Sequence, residues 1–566
     1  MKHTISRSIS VIILVVIGAI VYSTTLFNTF VWDSVPQIIE NPDVHALNLN
    51  RIFTSSAAFP GITNPLNYYY KPVMYAVFAV VYFFFQENPL GYHAVQIAVH
   101  IANAILLLFV FRKWFKANLS LVLALVFLVH PLNYESVGYI SALQDTLFLF
   151  FGLIALVLVM YENARYALVR YVAIFSLLLL SLLSKETGIL CIGGLILYVW
   201  IFGRKGQMRR LLAAAVLATA TYAVLRYVSS FDHYGYLTES AIMKTPLLQR
   251  IATIPAIFRY YLFTFIAPVR LGIDQQWTVA RFSVFDAFVF LVISALVGAI
   301  GYVLFGPGKN IRRQKEFLFF SGLFLAGVLL HTHVIMAIDM TVADRWFYFP
   351  MIGLLGLVGL GIEKLNLKST TAIVVAIIVV GLFSVRTFAR SMNWTDMETL
   401  YEHDLRQQPN NYHLANKYAA ELLRHDEIDT AEAILKQAYK DNPRYGALNN
   451  NLGYIYEKRG DHASSRIHYQ KAVESRDFSE RNHAAIVLSR IELFNFNRPE
   501  RAKQIAADML NSYPGDRDLL YDLAMAEYAL GNRTEALRIA KKLDSDLSSK
   551  TVRNLIYAIE NNVPVK

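Results

Sequence analysis

The chain has 566 residues, of which 55% are hydrophobic and only 17% are charged, and its formal net charge is +11. Its mean hydropathy of +0.39 argues against a wholly soluble protein, because a soluble fold of this length does not need so much apolar surface. The single cysteine, Cys191, excludes an intrachain disulfide framework and a cysteine-based metal site.

Apolar runs of roughly 18 residues or more predict membrane-spanning helices. No small-residue cleavage motif follows the first run, so we interpret it as a retained span rather than a cleaved signal peptide. The sequence predicts about eleven spans, at 10–27, 92–112, 118–131, 138–160, 168–184, 187–203, 210–228, 284–305, 316–335, 346–362 and 370–388. Two further apolar pieces, 71–85 and 252–268, are expected to lie at the membrane surface or to enter it part way.

Lysine and arginine cluster in alternate connections between the predicted spans. If the N-terminus is cytoplasmic, the positive-inside rule places every dense basic cluster between spans on the cytoplasmic side. These clusters are Arg112/Lys113/Lys116, Arg165/Arg170, Arg204/Lys205/Arg209/Arg210, Lys309/Arg312/Arg313/Lys315 and Lys364/Lys368. An odd number of spans then places the long segment 28–91 and everything after about residue 389 outside the cytoplasm.

After about residue 389 the long apolar runs stop and a repeat of 34 residues becomes visible, which is the period of the tetratricopeptide repeat. The second unit matches best, with Leu452, Gly453, Tyr456 and Gly460 at key positions. We therefore predict an all-α protein with two domains. A polytopic membrane helix bundle occupies 1–390, and an extracytoplasmic α-solenoid of about four repeats and a capping helix occupies 391–566.

The segments predicted to be extracytoplasmic contain most of the unusual polar residues. A charge near a membrane is costly unless it is paired or functional, and cations beside a lipid headgroup suit phosphate binding. The candidates are Asp33, Lys71, Lys185, Arg345, His130, Glu135, Asp145, Glu186, Asp344 and Tyr348. Each alone could be a helix-end anchor or a local ion pair, such as Arg345 with Asp344 or Lys185 with Glu186. Their collection on one side favours a site.

A series of motifs in a fixed order carries a family resemblance: FVWDS, YYYKP, YHAVQIAVHIANAILL, HPLNYESVGYISALQD, LLSKETG and ADRWFYFP, followed by the repeats. In this order the chain resembles the transmembrane-and-tetratricopeptide-repeat O-mannosyltransferases and their bacterial relatives. More broadly, it resembles the protein O-mannosyltransferase branch of the type-C glycosyltransferase fold. The resemblance implies transfer of a hexose from a polyprenyl-phosphate carrier at an extracytoplasmic site. It also implies that an acid of the first loop acts as base, which by match is Asp33; the family often has two adjacent acids there, whereas this chain has Asp33–Ser34.

The chemistry of such a transfer fits these residue types. A carboxylate can take the proton of an acceptor hydroxyl as it attacks, and a departing lipid phosphate needs positive charge, which Lys71, Lys185 and Arg345 can supply. One base opposite the leaving group favours inversion at the anomeric carbon. No cofactor is predicted. Asp33, Asp344, His331 and His333 are conceivable ligands of a divalent metal, but the HTH spacing is a poor pairing on one helix face.

Other functions compete with transfer to a protein hydroxyl. The acceptor could be a lipid-linked glycan or a lipid A-type molecule. A transporter would also explain many spans, although transporters often show internal repeats and polar residues at the midplane. A third alternative is a membrane-anchored repeat scaffold. We expect as partners the lipid-linked donor, a protein or glycan acceptor, the bilayer, and a peptide or protein on the repeats, but no nucleic acid. The expected location is a bacterial inner membrane with the repeats in the periplasm.

Overall fold

The computed structural model describes residues 6–54, 70–161, 166–204, 206–229, 240–279, 310–365, 368–547 and 549–564, together with scattered helical residues between 284 and 302. Within these residues the regular elements are helices, and a single isolated bridge joins Gln275 to Val342. The predicted all-α class is confirmed. The predicted span 284–305 lies largely outside the described residues.

The described chain forms two compact units, which meet in sequence at Gln408 and Pro409. The helices of the first unit are α1 (Arg7–Val21), α2 (Pro42–His45), α3 (Leu49–Thr54), α4 (Pro72–Phe85), α5 (Pro89–Phe111), α6 (Ala117–Val129), α7 (Tyr134–Gly138), α8 (Leu143–Met160), α9 (Ala167–Ser184), α10 (Ile189–Phe202), α11 (Gln207–Ser229), α12 (Leu247–Ile266), α13 (Ile311–Leu330), α14 (Pro350–Leu365), α15 (Ser369–Met392) and α16 (Met397–Gln407). The sequence placed α16 in the second domain, and that division at residue 390 stays a prediction.

Among the described residues, five helices are long and apolar enough to cross a membrane, or six if the bent pair Ala117–Val129 and Pro131–Gly138 counts as one span. The predicted count of about eleven is therefore not confirmed. The apolar helix α1 is only 15 residues long, and α10 and α14 are similarly short. The 20-residue α13 begins with a charged turn, and α12 contains Pro255.

Helix α8 lies at the centre of the membrane unit, packed against α5, α9 and α10. The connection that leads into it, residues 130–143, is buried throughout. Buried connections need partners for their backbone groups, and Gln96 on α5 provides two. Its Nε2 donates to the carbonyl oxygens of Ser136 and Tyr139, each at 2.7 Å. An amide in an apolar helix thus fixes the position of an irregular segment.

A buried ion pair holds α16 against the end of α15. Arg390 donates through both terminal nitrogens to Asp404, at 2.6 and 2.8 Å, and the two side chains are 3% and 0% exposed. The backbone amide of Ile273 also donates to Asp404, at 2.8 Å. Burial alone would raise the pKa of Asp404, but Arg390 and these hydrogen bonds lower it to about 2. Asp404 therefore joins three segments that are far apart in sequence.

The second unit is a series of antiparallel helix pairs. Its helices are α17 (Tyr412–Arg424), α18 (Ile428–Asp441), α19 (Gly446–Lys458), α20 (His462–Val473), α21 (Phe478–Arg490), α22 (Pro499–Ser512), α23 (Arg517–Ala529), α24 (Arg533–Leu547) and α25 (Lys550–Asn561). A Cβ on Gly453 would lie 2.9 Å from the ring of Tyr469, so the close approach of α19 and α20 requires glycine there. Gly460 ends the turn between them at a φ of +75°.

We expect Asp404→Asn to lower the free energy of unfolding by about 3–5 kcal/mol, because it leaves the guanidinium of Arg390 buried with a weaker partner. Glu402→Gln on the same helix is the matched control. Its pair with Arg406 is exposed on both sides, so its loss should cost about 0–1 kcal/mol. Denaturation of the detergent-solubilised full chain measures both. Equal stability losses for the two variants would contradict the structural role of Asp404.

Candidate functional site

Asp33 is exposed at the end of the loop that follows the first helix. The preceding residue, Trp32, has a φ of +52°, in the left-handed region that bulky side chains rarely adopt. Such a conformation costs about 1–3 kcal/mol and persists only where the surroundings enforce it. The loop is held by Asn28, which donates to the hydroxyl of Tyr134 at 3.2 Å and to the carbonyl of Ser391 at 3.1 Å.

Aromatic rings surround Trp32 within the first unit. The ring centroids of Tyr139, Trp394 and Tyr401 lie 5.5, 6.3 and 6.4 Å from that of Trp32. Tyr139 belongs to the buried connection before α8, Trp394 lies between α15 and α16, and Tyr401 is in α16. Their packing provides the constraint that keeps Trp32 in its unusual conformation. The carboxylate of Asp33 is thereby presented from a rigid support rather than from a free loop.

Arg345 pairs with Glu135 rather than with its neighbour in sequence. A terminal nitrogen of its guanidinium contacts Glu135 Oε1, and its backbone amide donates to Oε2 at 3.0 Å. The Arg345 and Glu135 side chains are 13% and 5% exposed. Arg345 also interacts electrostatically with Asp145 and Tyr139. The local pair of Arg345 with Asp344, which the sequence allowed, is replaced by a contact between segments 210 residues apart.

Lys185 likewise pairs across the fold. Its Nζ lies 2.6 Å from Asp145 Oδ1, and the Lys185 and Asp145 side chains are 13% and 3% exposed. Glu186, the alternative partner next in sequence, pairs with Arg226 on α11 at 2.5 Å. Asp145 therefore connects the start of α8 to the turn between α9 and α10. Its second carboxylate oxygen is buried with no hydrogen-bond partner among the described residues.

Lys71 is buried at the start of α4 and links these pairs to Asp33. Burial lowers its pKa to about 8, because desolvation disfavours the charged ammonium. Glu186, Asp145 and Asp33 act in the opposite direction through their negative charges, while Lys185 adds to the lowering. Since Lys71 interacts electrostatically with all four groups, the predicted Asp33 and the predicted cations belong to one charged cluster.

Tyr139 connects the remaining members of the cluster. Its buried hydroxyl interacts electrostatically with Asp33 and with Arg345. Asp344 lies beside this group and accepts a hydrogen bond from the hydroxyl of Tyr260 at 2.6 Å. Burial, together with the negative charge of Glu135, raises the pKa of Asp344 well above that of an ordinary carboxyl.

Two sequence candidates lie in other surroundings. His130 is fully buried, and its two ring nitrogens contact the carbonyl of Phe265 at 2.9 Å and the amide of Leu132 at 3.2 Å. Tyr348 is buried against α5, where its hydroxyl lies 2.7 Å from His100 Nδ1 and 3.1 Å from Asn103 Nδ2. Both side chains join neighbouring segments through satisfied hydrogen bonds. The structure therefore gives them a packing role.

Within the described residues, no group of three or more histidine, cysteine, aspartate or glutamate side chains is arranged to hold a metal ion. His331 contacts the carbonyl of Gly327 at 3.0 Å, and His333 contacts that of Thr341 at 2.8 Å. His331 also stacks on Trp346, with 5.0 Å between ring centroids. The two histidines thus make separate local contacts.

The candidates selected from the sequence did not include three residues of this region: Tyr139, Gln96 and Tyr260. Gln96 carried a signal, because an amide within an apolar span must find a partner inside the protein. Tyr139 and Tyr260 carried none, since tyrosine is common in this chain, with 33 copies. Only the packing of distant segments shows that these two hydroxyls lie beside carboxylates.

Sequence comparisons agree with the resemblance seen in the motifs. The family model described as tetratricopeptide repeat matches residues 419–480. Protein O-mannosyl-transferase F38B6.6 of Caenorhabditis elegans is 24% identical, over 71% of this chain and 58% of the relative. Protein O-mannosyl-transferase TMTC3 of Mus musculus is 22% identical, over 89% of this chain and 60% of the relative. The chain is similar in sequence to protein O-mannosyl-transferases. It is a multi-pass membrane protein with a tetratricopeptide-repeat region, as predicted.

The chain spans about 60% of the length of these protein O-mannosyl-transferases. Among solved structures, that of ArnT from Cupriavidus metallidurans bound to undecaprenyl phosphate matches with a TM-score of 0.39 and 13% identity, over 88% of this chain and 79% of that chain.

We expect Asp344→Asn to flatten the pH dependence of stability. The raised pKa means that native Asp344 holds a proton which the unfolded chain releases above pH ~4. The contribution of Asp344 to the free energy of unfolding is therefore complete below the pKa that this carboxyl has in the unfolded chain. It is lost as the pH rises through the higher pKa that the carboxyl has in the native protein. Asparagine stays neutral and keeps a partner for Tyr260, so the variant should lose less stability between pH 5 and 9.

The exposed Asp429→Asn in the second unit is the control, because its side chain is 97% exposed. Thermal denaturation of both variants and the parent across this pH range measures how the stability of each depends on pH. Parallel curves for Asp344→Asn and the parent would show that Asp344 is ionised throughout.

Proposed function

We propose that the protein is a membrane glycosyltransferase that moves a sugar from a polyprenyl-phosphate carrier to an extracytoplasmic hydroxyl, with inversion. The observation that carries the proposal is the charged cluster, in which exposed Asp33 is coupled to the buried cation Lys71 beside two further cations. The similarity to protein O-mannosyl-transferases supports a hexose as the transferred group and a protein hydroxyl as acceptor.

Asp33 has the properties required of a general base. Its carboxylate is accessible to a substrate, whereas Glu135 and Asp145 are each engaged by a cation. In the proposed reaction the acceptor oxygen attacks the anomeric carbon and its proton passes to Asp33. The bond from this carbon to the phosphate oxygen breaks, and the phosphate leaves with the electron pair. Because attack and departure occur on opposite faces of the sugar, the configuration inverts.

The departing phosphate requires positive charge in a place that excludes water. The charge of Lys185 is balanced by Asp145, and that of Arg345 by Glu135, so these two pairs add little net charge. Lys71 lies within electrostatic range of both Asp33 and the Lys185 pair. We assign Lys71 as the main phosphate-binding cation and Lys185 and Arg345 as donors that re-orient or share their hydrogen bonds when the phosphate is present.

The two ends of the proposed transfer reaction have different surroundings. An apolar polyprenyl chain needs contact with the bilayer, which the membrane helices of the first unit provide. A protein acceptor could be bound by the tetratricopeptide repeats, since repeat stacks commonly hold peptide or protein segments. On the basis of the positive-inside pattern, we propose that the site and the repeats lie outside the cytoplasm. A bacterial inner membrane is the location proposed for the protein.

We expect Asp33→Asn to reduce transfer by about 10²–10⁴-fold while leaving donor binding unchanged, because it removes basicity and preserves shape. Glu40→Gln is the control, since Glu40 is an exposed carboxylate of the same loop region. Mass spectrometry of surface and extracytoplasmic glycoconjugates, with and without each variant, identifies the product, and a turnover assay gives the rate. Near-normal turnover by Asp33→Asn would exclude Asp33 as the base.

We expect Lys71 to make donor binding pH-dependent. With its pKa lowered to about 8, the ammonium is charged below that pH and neutral above it, so the donor KM should rise as pH increases from 7 to 9. Lys71→Arg stays charged throughout and should remove this rise. Lys71→Met should weaken donor binding at pH 7, whereas the exposed Lys116→Met should not. A KM that is independent of pH in the parent would exclude Lys71 from phosphate binding.

A further inference from the structure

A second site lies at the other end of the same helices. Helix α8 begins near Asp145, in the charged cluster, and ends at Met160, about 22 Å along its axis. At this end the structure contains a cavity of about 430 Å³, within the range of small-molecule sites. Among the residues that line it are Lys113, Trp114, Tyr198, Phe202, Arg204 and Arg312. The cavity is therefore separate from the proposed transfer site.

Three cations from three different segments converge on this cavity. Lys113 follows α5 and is exposed, with its Nζ 5.3 Å from the ring centroid of Tyr161. Arg204 is exposed between α10 and α11. Arg312 is 68% exposed and donates through Nε to Glu316 at 3.0 Å. Glu316 also pairs with Arg313, which in turn contacts Glu363, so these two carboxylates offset only part of the charge of the four cations.

The other wall of the cavity is aromatic. The ring of Trp114 lies 6.0 Å from that of Phe202 and 6.3 Å from that of Tyr198, and Trp114 is 7% exposed. Aromatic residues with a polar edge are typical of the level at which membrane meets water. A ligand that fits between cations and such rings has an anionic head and an apolar body.

Helix dipoles do not account for this arrangement. Helices α8 and α10 end at the cavity, whereas α11 and α13 begin beside it. Their terminal partial charges have opposite signs and largely offset one another. The positive character of the cavity thus comes from its three side chains.

We propose that this cavity binds the phosphate headgroup of an anionic membrane lipid in the leaflet opposite to the transfer site. Basic pockets between membrane helices on the cytoplasmic side are suited to such headgroups, since cations pair with the phosphate and the acyl chains stay in the bilayer. The aromatic wall favours a lipid over a free phosphate ion, which would gain nothing from apolar contact. This site is independent of the glycosyl-transfer proposal.

The test titrates the 566-residue chain in neutral detergent with phosphatidylglycerol or phosphatidylcholine and follows binding by native mass spectrometry. The pocket variant carries Lys113→Gln, Arg204→Gln and Arg312→Gln. The matched control carries Lys116→Gln, Arg209→Gln and Lys315→Gln, which remove the same charge from exposed positions on the same three segments outside the cavity. Thermal denaturation without lipid checks that both variants fold.

We expect saturable binding of phosphatidylglycerol in preference to phosphatidylcholine. Each cation removed from the cavity should weaken phosphatidylglycerol binding about fivefold, and removal of all three in the triple variant should weaken it roughly 100-fold. The control variant should stay within about twofold of the parent by the same reasoning. If the triple pocket variant does not fold, lipid binding by the single variant Arg204→Gln is compared with that of its control Arg209→Gln.

Equal losses in the pocket and control variants would overturn the proposal, because they would indicate diffuse surface charge. Equal binding of the two lipids would overturn it as well. Inorganic phosphate titrated alone should neither bind measurably nor displace the lipid at millimolar concentration. Displacement by phosphate would show that the cavity takes the free ion rather than a lipid.

Discussion

The cost of burying charge in an apolar helix bundle governs the first unit. Glu135 with Arg345, Asp145 with Lys185, and Asp404 with Arg390 are ion pairs almost completely removed from solvent. An ion buried without its partner would cost several kcal/mol, so each pair keeps its segments in place. The pairs also connect distant parts of the chain: the connection before α8, the turn after α9, the segment before α14, and the helix after α15.

The same constraint organises the proposed site. Glu135 and Asp145 are buried and engaged by cations, whereas Asp33 is an exposed carboxylate of the cluster, and the aromatic packing of Trp32 fixes its position. The irregular connection before α8 can be fully buried because Gln96 donates hydrogen bonds to two of its carbonyl groups. A rigid support for a reactive group is what positioning in catalysis requires, since small misplacements cost large factors in rate.

The charged residues at the two ends of the membrane unit differ in their burial and in their pairing. At the Asp33 end, cations and carboxylates alternate and are mostly buried in pairs. At the opposite end, the cations among the described residues exceed the carboxylates, and those that line the aromatic cavity are exposed. Paired, buried charges suit chemistry on a bound substrate, whereas an unbalanced positive rim suits the surface of an anionic membrane. The asymmetry agrees with the basic clusters from which the orientation was predicted.

Sequence alone determined the class of the protein: all-α, with apolar membrane helices followed by 34-residue repeats. Hydrophobic run length and repeat period are local properties, so they can be counted along the chain. It also indicated Asp33, Lys71, Lys185 and Arg345, because charges at the ends of apolar runs stand out. The number of spans was not determined, since several apolar runs form helices shorter than a bilayer requires.

Only the tertiary structure decided the partners: Arg345 with Glu135 rather than Asp344, Lys185 with Asp145 rather than Glu186, and His130 and Tyr348 in packing contacts. Pairing between segments 40 to 210 residues apart depends on which helix faces meet, and no local pattern encodes that.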